Sequence, residues 1–164
     1  MSRTDEEEFF EAQTIAHINE VALLLDEMVK RLRARARSHD YTKLASPERE
    51  TFIEYTPKLR DLDYGSPKYK RCLEEMKVAL KHHYANNRHH PEHFEDGILG
   101  MTLIDLLEMM CDWRAATKRH VTGDIRKSLE HNAKRFEIPE PIQRILENTA
   151  RDMGWISKNE EEKG

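Results

Sequence analysis

Residues 66–87 read SPKYKRCLEEMKVALKHHYANN, and the spacing within this stretch decides the fold class. Ser66-Pro67 is a helix start, with a hydroxyl able to cap free backbone N–H groups and a proline whose fixed φ suits the first turn. Beyond it Tyr69, Leu73, Met76, Leu80, His83 and Asn87 recur at three- and four-residue intervals, which is the period of one helix face. His83 therefore points inward on an otherwise apolar stripe, whereas its neighbour His82 faces solvent.

The same period extends in both directions. Upstream, Phe10, Thr14, His17, Val21, Leu24, Met28 and Leu32 predict a helix from about Glu8 to Arg37 with His17 turned inward. Ser38 to Lys43 breaks that pattern. Ser46-Pro47-Glu48 starts a short second helix to about Tyr55, and Pro57 with Asp63-Tyr64-Gly65 marks its end. Downstream, a loop from Asn86 to Gly100 precedes Thr102, which caps a helix running to about Arg119. On that helix Asp105, Met109, Asp112 and Ala116 lie beside the apolar row Leu103, Leu106, Met110 and Trp113. Gly123-Asp124 precedes a helix ending near Phe136, and Pro139 to Met153 forms the last one. Residues 1–8 and 157–164 are expected to be frayed acidic ends.

Six Gly and six Pro in 164 residues, with abundant Leu, Glu, Lys, Arg, Met and Ala, favour helix over strand. The expectation is an all-α, single-domain bundle of six or seven helices. Charged residues make up 35% of the chain, yet the net charge is only -4. No basic field is present to hold duplex nucleic acid. No apolar run reaches the ~18–20 residues of a membrane span, and MSRTDEEEFF lacks a signal-peptide core. A cytoplasmic protein is expected, with a homodimer compatible with its apolar content. Cys72 and Cys111 fall within helical patterns and read as buried free thiols. No heptad or longer repeat is evident.

Nine histidines are unevenly placed: His82, His83, His89, His90 and His93 fall within a dozen residues. Burying imidazole or carboxylate in a helical core is costly unless the group is hydrogen-bonded, paired or metal-bound. His17 and His83 lie on core stripes, His39-Asp40 sit at a helix junction, and Asp112 lies beside a core face. Imidazole and carboxylate together suit divalent manganese, iron, nickel, zinc or magnesium, and five or six such ligands seat two ions. Structural zinc spacings are missing, because neither cysteine has a close second partner.

His39-Asp40-Tyr41-Thr42-Lys43 resembles the HDxxK signature of the HD-domain phosphohydrolases. The order His17, His39-Asp40, His83, His89-His90 and Asp112 resembles the ligand order of that superfamily's two-metal members. His89-His90-Pro91-Glu92 with Asp96-Gly97 is similar to the HHE…DG element of its HD-GYP branch. Pro91 interrupts that triplet and the GYP residues are absent, so cyclic-dinucleotide specificity is not carried over. The chain also resembles short uncharacterised proteins of bacteria and phages that share HDxxK, HHxxNxxHHPEH and MxLxDLxEMxCDW.

The resemblance implies an HD-like fold in which Asp40 anchors or bridges metal. His17, His39, His83, one of His89 and His90, and Asp112 would complete the shell around one or two divalent ions. It implies hydrolysis of a phosphoester in a small phosphorylated compound such as a nucleotide, by water that the metal acidifies. In that setting Lys43 is expected to stabilise charge on the phosphoryl group, or else to be a surface charge. Asp105 and Glu108 either orient ligand imidazoles or pair with arginines. Arg88, Arg114, Lys118 and Arg119 are candidate phosphate partners, and Asn86 and Asn87 either contact substrate or cap the helix end. Two alternatives stand beside this reading. One is a di-iron oxygenase on the same ligand order, and the other is a non-enzymatic binding protein with a structural metal.

Overall fold

The computed structural model describes residues 4–60, 62, 66–119 and 123–156. Every regular element among them is helical, with seven α-helices and three short 3-10 turns and no strand. No helix among them is long and apolar enough to cross a membrane. The chain divides into two units, Met1–Ser38 and His39–Gly164.

The first unit is one helix, α1 (Asp5–Ser38), with acids in its first turn and Arg35 and Arg37 in its last. These charges complement the helix dipole at both ends. Thr4 and Glu7 form a reciprocal cap, the Thr4 N–H donating to Glu7 Oε2 at 2.9 Å and the Glu7 N–H to Thr4 Oγ1 at 3.3 Å. Asp5 to Glu8 are therefore helical rather than frayed. Periodicity alone places His17 inward; in the structure α1 has no buried residue, and His17 is exposed along with Phe10, Val21, Leu24 and Met28.

The second unit holds the core. It comprises a 3-10 turn at Tyr41–Leu44, α2 (Glu48–Arg60), α3 (Pro67–Glu75), α4 (Lys77–Asn86), 3-10 turns at Pro91–His93 and Gly97–Gly100, α5 (Leu103–Thr117), α6 (Ile125–Arg135) and α7 (Glu140–Asp152). Helix α2 runs through Pro57 to Arg60 instead of ending near Tyr55. Proline removes one N–H and crowds the preceding turn, and so near a helix end little ladder is lost. The turn expected at Asp63-Tyr64-Gly65 and the tail 157–164 lie outside the described residues. Ser66 caps α3 as expected, accepting from the Tyr69 N–H. The stripe begun there continues across a break at Met76 into α4, burying Met76, His83 and Asn87.

The Gly97–Gly100 turn and helices α5, α6 and α7 build the apolar centre from Ile98, Met109, Met110, Ile125, Leu129, Ala133, Leu146 and Ala150. Trp113 and Phe136 stack at its border with ring centroids 6.2 Å apart. Leu103, expected in the apolar row of α5, is exposed in the first turn. The thiols are not buried either: Cys72 is half-buried and Cys111 exposed, and both are free. On the other side of α5 the second unit turns polar. There the Tyr41–Leu44 turn and α2 pack on α4, and the buried groups are Glu48, His83, Asn87 and His89.

Candidate metal centre

Four backbone segments of the second unit each deliver side chains to one place. The turn after α1 brings His39 and Asp40, with Asp40 in left-handed backbone at φ 56 and ψ 12. For a residue with a Cβ this conformation is disfavoured, and it persists where the surroundings over-determine it. Helix α4 brings His83. The loop after α4 brings His89 and His90, held in register by His93, whose Nδ1–H donates to the Tyr84 carbonyl at 2.8 Å. Helix α5 brings Glu108 and Asp112, one turn apart on the face away from its apolar core.

The donor atoms of Asp40, His83, His89 and His90 lie within 4.8 Å of one another, as do those of His39, Asp40 and Asp112 and those of His39, His89 and Glu108. Asp40 is divided between two of these groups. Its Oδ1 is 3.2 Å from His83 Nε2 and 3.4 Å from His89 Nε2. Its Oδ2 is 3.6 Å from His39 Nε2, which is itself 3.5 Å from Asp112 Oδ1. His83 Nε2 and His90 Nε2 are 2.9 Å apart. Ligand bonds of ~2.0–2.1 Å set neighbouring donors about 2.9–3.4 Å apart, so the separations around Asp40 Oδ1 are those of atoms sharing one ion. The two wider distances around Asp40 Oδ2 suit a looser seat.

The hydrogen-bonding of these groups points the same way. Asp40 Oδ1 and His89 Nε2 are buried and face each other, yet neither makes a hydrogen bond of good geometry with a described residue. Buried polar atoms left without partners are costly and rare in native folds. The opposite edges of the imidazoles are fully engaged. His39 Nδ1 is 2.9 Å and His89 Nδ1 3.2 Å from Glu108 Oε1, and His83 Nδ1 is 2.8 Å from Glu48 Oε2. An ionised carboxylate only accepts, so each Nδ1 donates its N–H to a glutamate and each Nε2 faces the cluster, where the neutral ring would offer a lone pair to a metal.

The electrostatics follow from this crowding. Asp112 and Glu108 raise the His39 pKa to about 10. Burial opposes ionisation of Asp40, but the His83 and His89 imidazoles and the Lys43 ammonium hold its carboxyl well below the usual range. Burial first, then the neighbouring His89 and His83, push His90 down to about 3. His90 is thus a neutral imidazole at physiological pH, the form that binds metal.

Of the residues singled out in the sequence, His39, Asp40, His83, His89, His90, Glu108 and Asp112 converge. Both histidines of the His89-His90 pair take part, where one was expected. His17 lies in the first unit and is exposed. Lys43 lies at the edge of the cluster: its side chain is part-exposed, its Nζ is 2.6 Å from Asp40 Oδ2, and it lies over the Phe52 ring. Asp105 orients no imidazole. It is buried, closes the Thr102 capping box, and accepts two bonds from Arg88 at 3.1 and 2.9 Å. Arg88 is thereby committed to Asp105 rather than to a phosphate. Arg114 reaches Thr117 instead of the cluster. Asn86 binds back to the His82 carbonyl, and Asn87 donates to the Thr42 hydroxyl and the His83 carbonyl, so both hold the helix end.

Two participants carried no signal in the sequence. Glu48 sits in the first turn of α2, where an acid reads as a dipole complement, yet it is buried and contacts both His82 and His83. Thr42, inside the HDYTK stretch, donates to Glu48 Oε2 at 3.0 Å. His82 is accordingly tethered to Glu48 rather than simply solvated.

No curated protein and no solved structure matches the chain. A family model does match, over residues 6–154. That span runs from α1 through α7 and includes every residue of the cluster, and the chain belongs to DUF5662, a family of unknown function.

Proposed function

We propose that the second unit is a metal-dependent hydrolase of HD-domain type, acting on a phosphoester of a nucleotide or another small phosphorylated compound. The observation that carries the reading is the pair of buried, unbonded atoms, Asp40 Oδ1 and His89 Nε2, facing each other inside a ring of imidazoles. His83, His89, His90 and Asp40 would hold one ion in a nitrogen-rich seat, and His39, Asp40 and Asp112 a second in an oxygen-rich one. When bound, divalent metal supplies water acidified enough to attack near neutral pH and positive charge to offset that of the phosphoryl oxygens.

The chain's own residues have definite parts in this scheme. Asp40 divides its two oxygens between the seats, and Lys43 fixes its orientation from the Oδ2 side. Glu108 holds His39 and His89 by Nδ1 so that both rings present Nε2. Phe52 and Tyr84 flank His83 with ring centroids 5.9 and 6.1 Å away, and His83 itself is buried.

Elemental analysis of chain purified without chelator or nickel resin, followed by a phosphoester panel with manganese and magnesium, tests the proposal. Release of phosphate that Asp40→Asn abolishes is the expected result. Failure of wild-type chain to contain or take up metal overturns it. The nitrogen-rich seat also suits iron, so a di-iron oxidation is the second reading. Oxygen consumption by iron-loaded protein with no turnover under anaerobic conditions would favour it.

A further inference from the structure

Glu48 is fully buried, and its partners are two imidazoles and one hydroxyl. Its Oε2 lies 2.8 Å from His83 Nδ1 and 3.0 Å from Thr42 Oγ1, and its Oε1 lies 2.8 Å from His82 Nδ1. Thr42 in turn accepts from Asn87 Nδ2 at 2.8 Å, so its single proton is committed to Glu48. Burying a carboxylate is costly, and a purely structural contact at such a place is served as well by an apolar side chain. A carboxylate does what an apolar group cannot: it accepts from His83 Nδ1–H at 2.8 Å, a shorter contact than the 3.0 Å from Asn87 Nδ2 to the same nitrogen, and so turns Nε2 toward Asp40 Oδ1 and His90 Nε2 as the nitrogen that the neutral ring offers to a metal.

We infer that Glu48 is a positioning residue of the metal centre, fixing the tautomer and ring direction of His83 as Glu108 does for His39 and His89. Each glutamate grips two rings by Nδ1. Glu108 does so from α5 on one side of Asp40, and Glu48 from α2 on the other. Through Thr42, Glu48 also ties the HDYTK turn to α4, so the two segments that contribute Asp40 and His83 are locked by one side chain. His82 takes the second oxygen from outside. It is a strut and not a ligand, its side chain 40% exposed.

The inference rests on the metal-centre reading above, and cobalt(II) titration separates the two. Wild type, Glu48→Ala, Glu48→Gln and His82→Ala are titrated with cobalt(II) while visible absorption and affinity are recorded. Circular dichroism and melting of the metal-free proteins check folding. Glu48→Ala is expected to weaken cobalt binding ~10–100-fold and to alter the absorption bands of the loaded protein. Glu48→Gln, which keeps the length and one acceptor oxygen, recovers part of the affinity, and His82→Ala, which frees one oxygen of Glu48 but keeps its contact with His83, weakens binding less than Glu48→Ala. If wild type binds cobalt and the folded Glu48 variants match it in affinity and spectrum, the role of Glu48 is overturned and the centre stands. Should Glu48→Ala not fold, the comparison of Glu48→Gln with wild type decides between these outcomes. If wild type takes up no cobalt, the centre itself is overturned, and this role with it.

Discussion

Asp105 and Glu108 are one helical turn apart on α5, and the structure gives them opposite tasks. Asp105 is locked to Arg88 and Thr102 and belongs to the scaffold, whereas Glu108 holds two imidazoles. Asp105 is buried but the Arg88 side chain is 42% exposed and Thr102 still donates to the carboxylate, so Arg88→Met is predicted to lower stability by about 1–2 kcal/mol in urea unfolding, with metal uptake unchanged. The pH dependence carries the same signature. Burial opposes its charge, but Arg88 and Thr102 hold the Asp105 carboxyl below its ordinary value. Its contribution is therefore fully present above the unfolded pKa near 3.8 and is lost as pH falls through the folded value. An Asp105→Asn variant should show a flatter loss of stability between neutral and acid pH. His39 behaves in the opposite sense. Raised to about 10, it is protonated at neutral pH in metal-free chain. Its stabilising effect there is full below its ordinary value of 6.5 and is lost as pH rises through the folded one. Because a ligand imidazole must be neutral, metal uptake should expel this proton. Titration in weak buffer should record the release, and His39→Gln should reduce it. Periodicity makes His83 legible as an inward residue. It cannot reveal Glu48, because the position of an acid at a helix start has an ordinary explanation in the dipole, and only the approach of α4 to α2 gives it another.

At the scale of elements, helix starts are the most readable features. Ser66, Thr102 and Asp124 cap α3, α5 and α6 where hydroxyl or carboxylate precedes a periodic stretch. Such signals are local, and a cap needs no distant partner to act. Burial is not local, which is why Leu103 of α5, inward by periodicity, is exposed in the fold. Helix α6 ends in a further local device. The Ile138 N–H bonds to the Ala133 carbonyl across Glu137, which sits at φ 49, the arrangement of a Schellman turn in which glycine is usual. Glu137→Gly is predicted to stabilise the second unit by about 0.5–1 kcal/mol, read as a raised melting temperature, because glycine has no Cβ to strain there. A fall in melting temperature would mean that the Glu137 side chain makes a compensating contact.

For the whole molecule, helical composition and the lack of a basic field are apparent from the sequence, as is the order of the histidines and acids along the chain. What order alone cannot fix is which of them meet. His17 stands with α1, while the residues from His39 to Asp112 gather in the second unit around the two oxygens of Asp40. A ligand that binds only the folded state raises stability by mass action, about 2.7 kcal/mol at a hundredfold excess over its Kd. Manganese, iron or zinc should accordingly raise the melting temperature of wild type and leave that of Asp40→Ala unmoved. The most direct test is the metal content, by plasma mass spectrometry, of wild type beside a His83→Ala/Asp40→Ala double variant shown by circular dichroism to be helical. Stoichiometric metal in wild type that disappears in the folded double variant is the predicted result. Metal-free wild type that fails to load, or equal metal in both proteins, would contradict the existence of the centre.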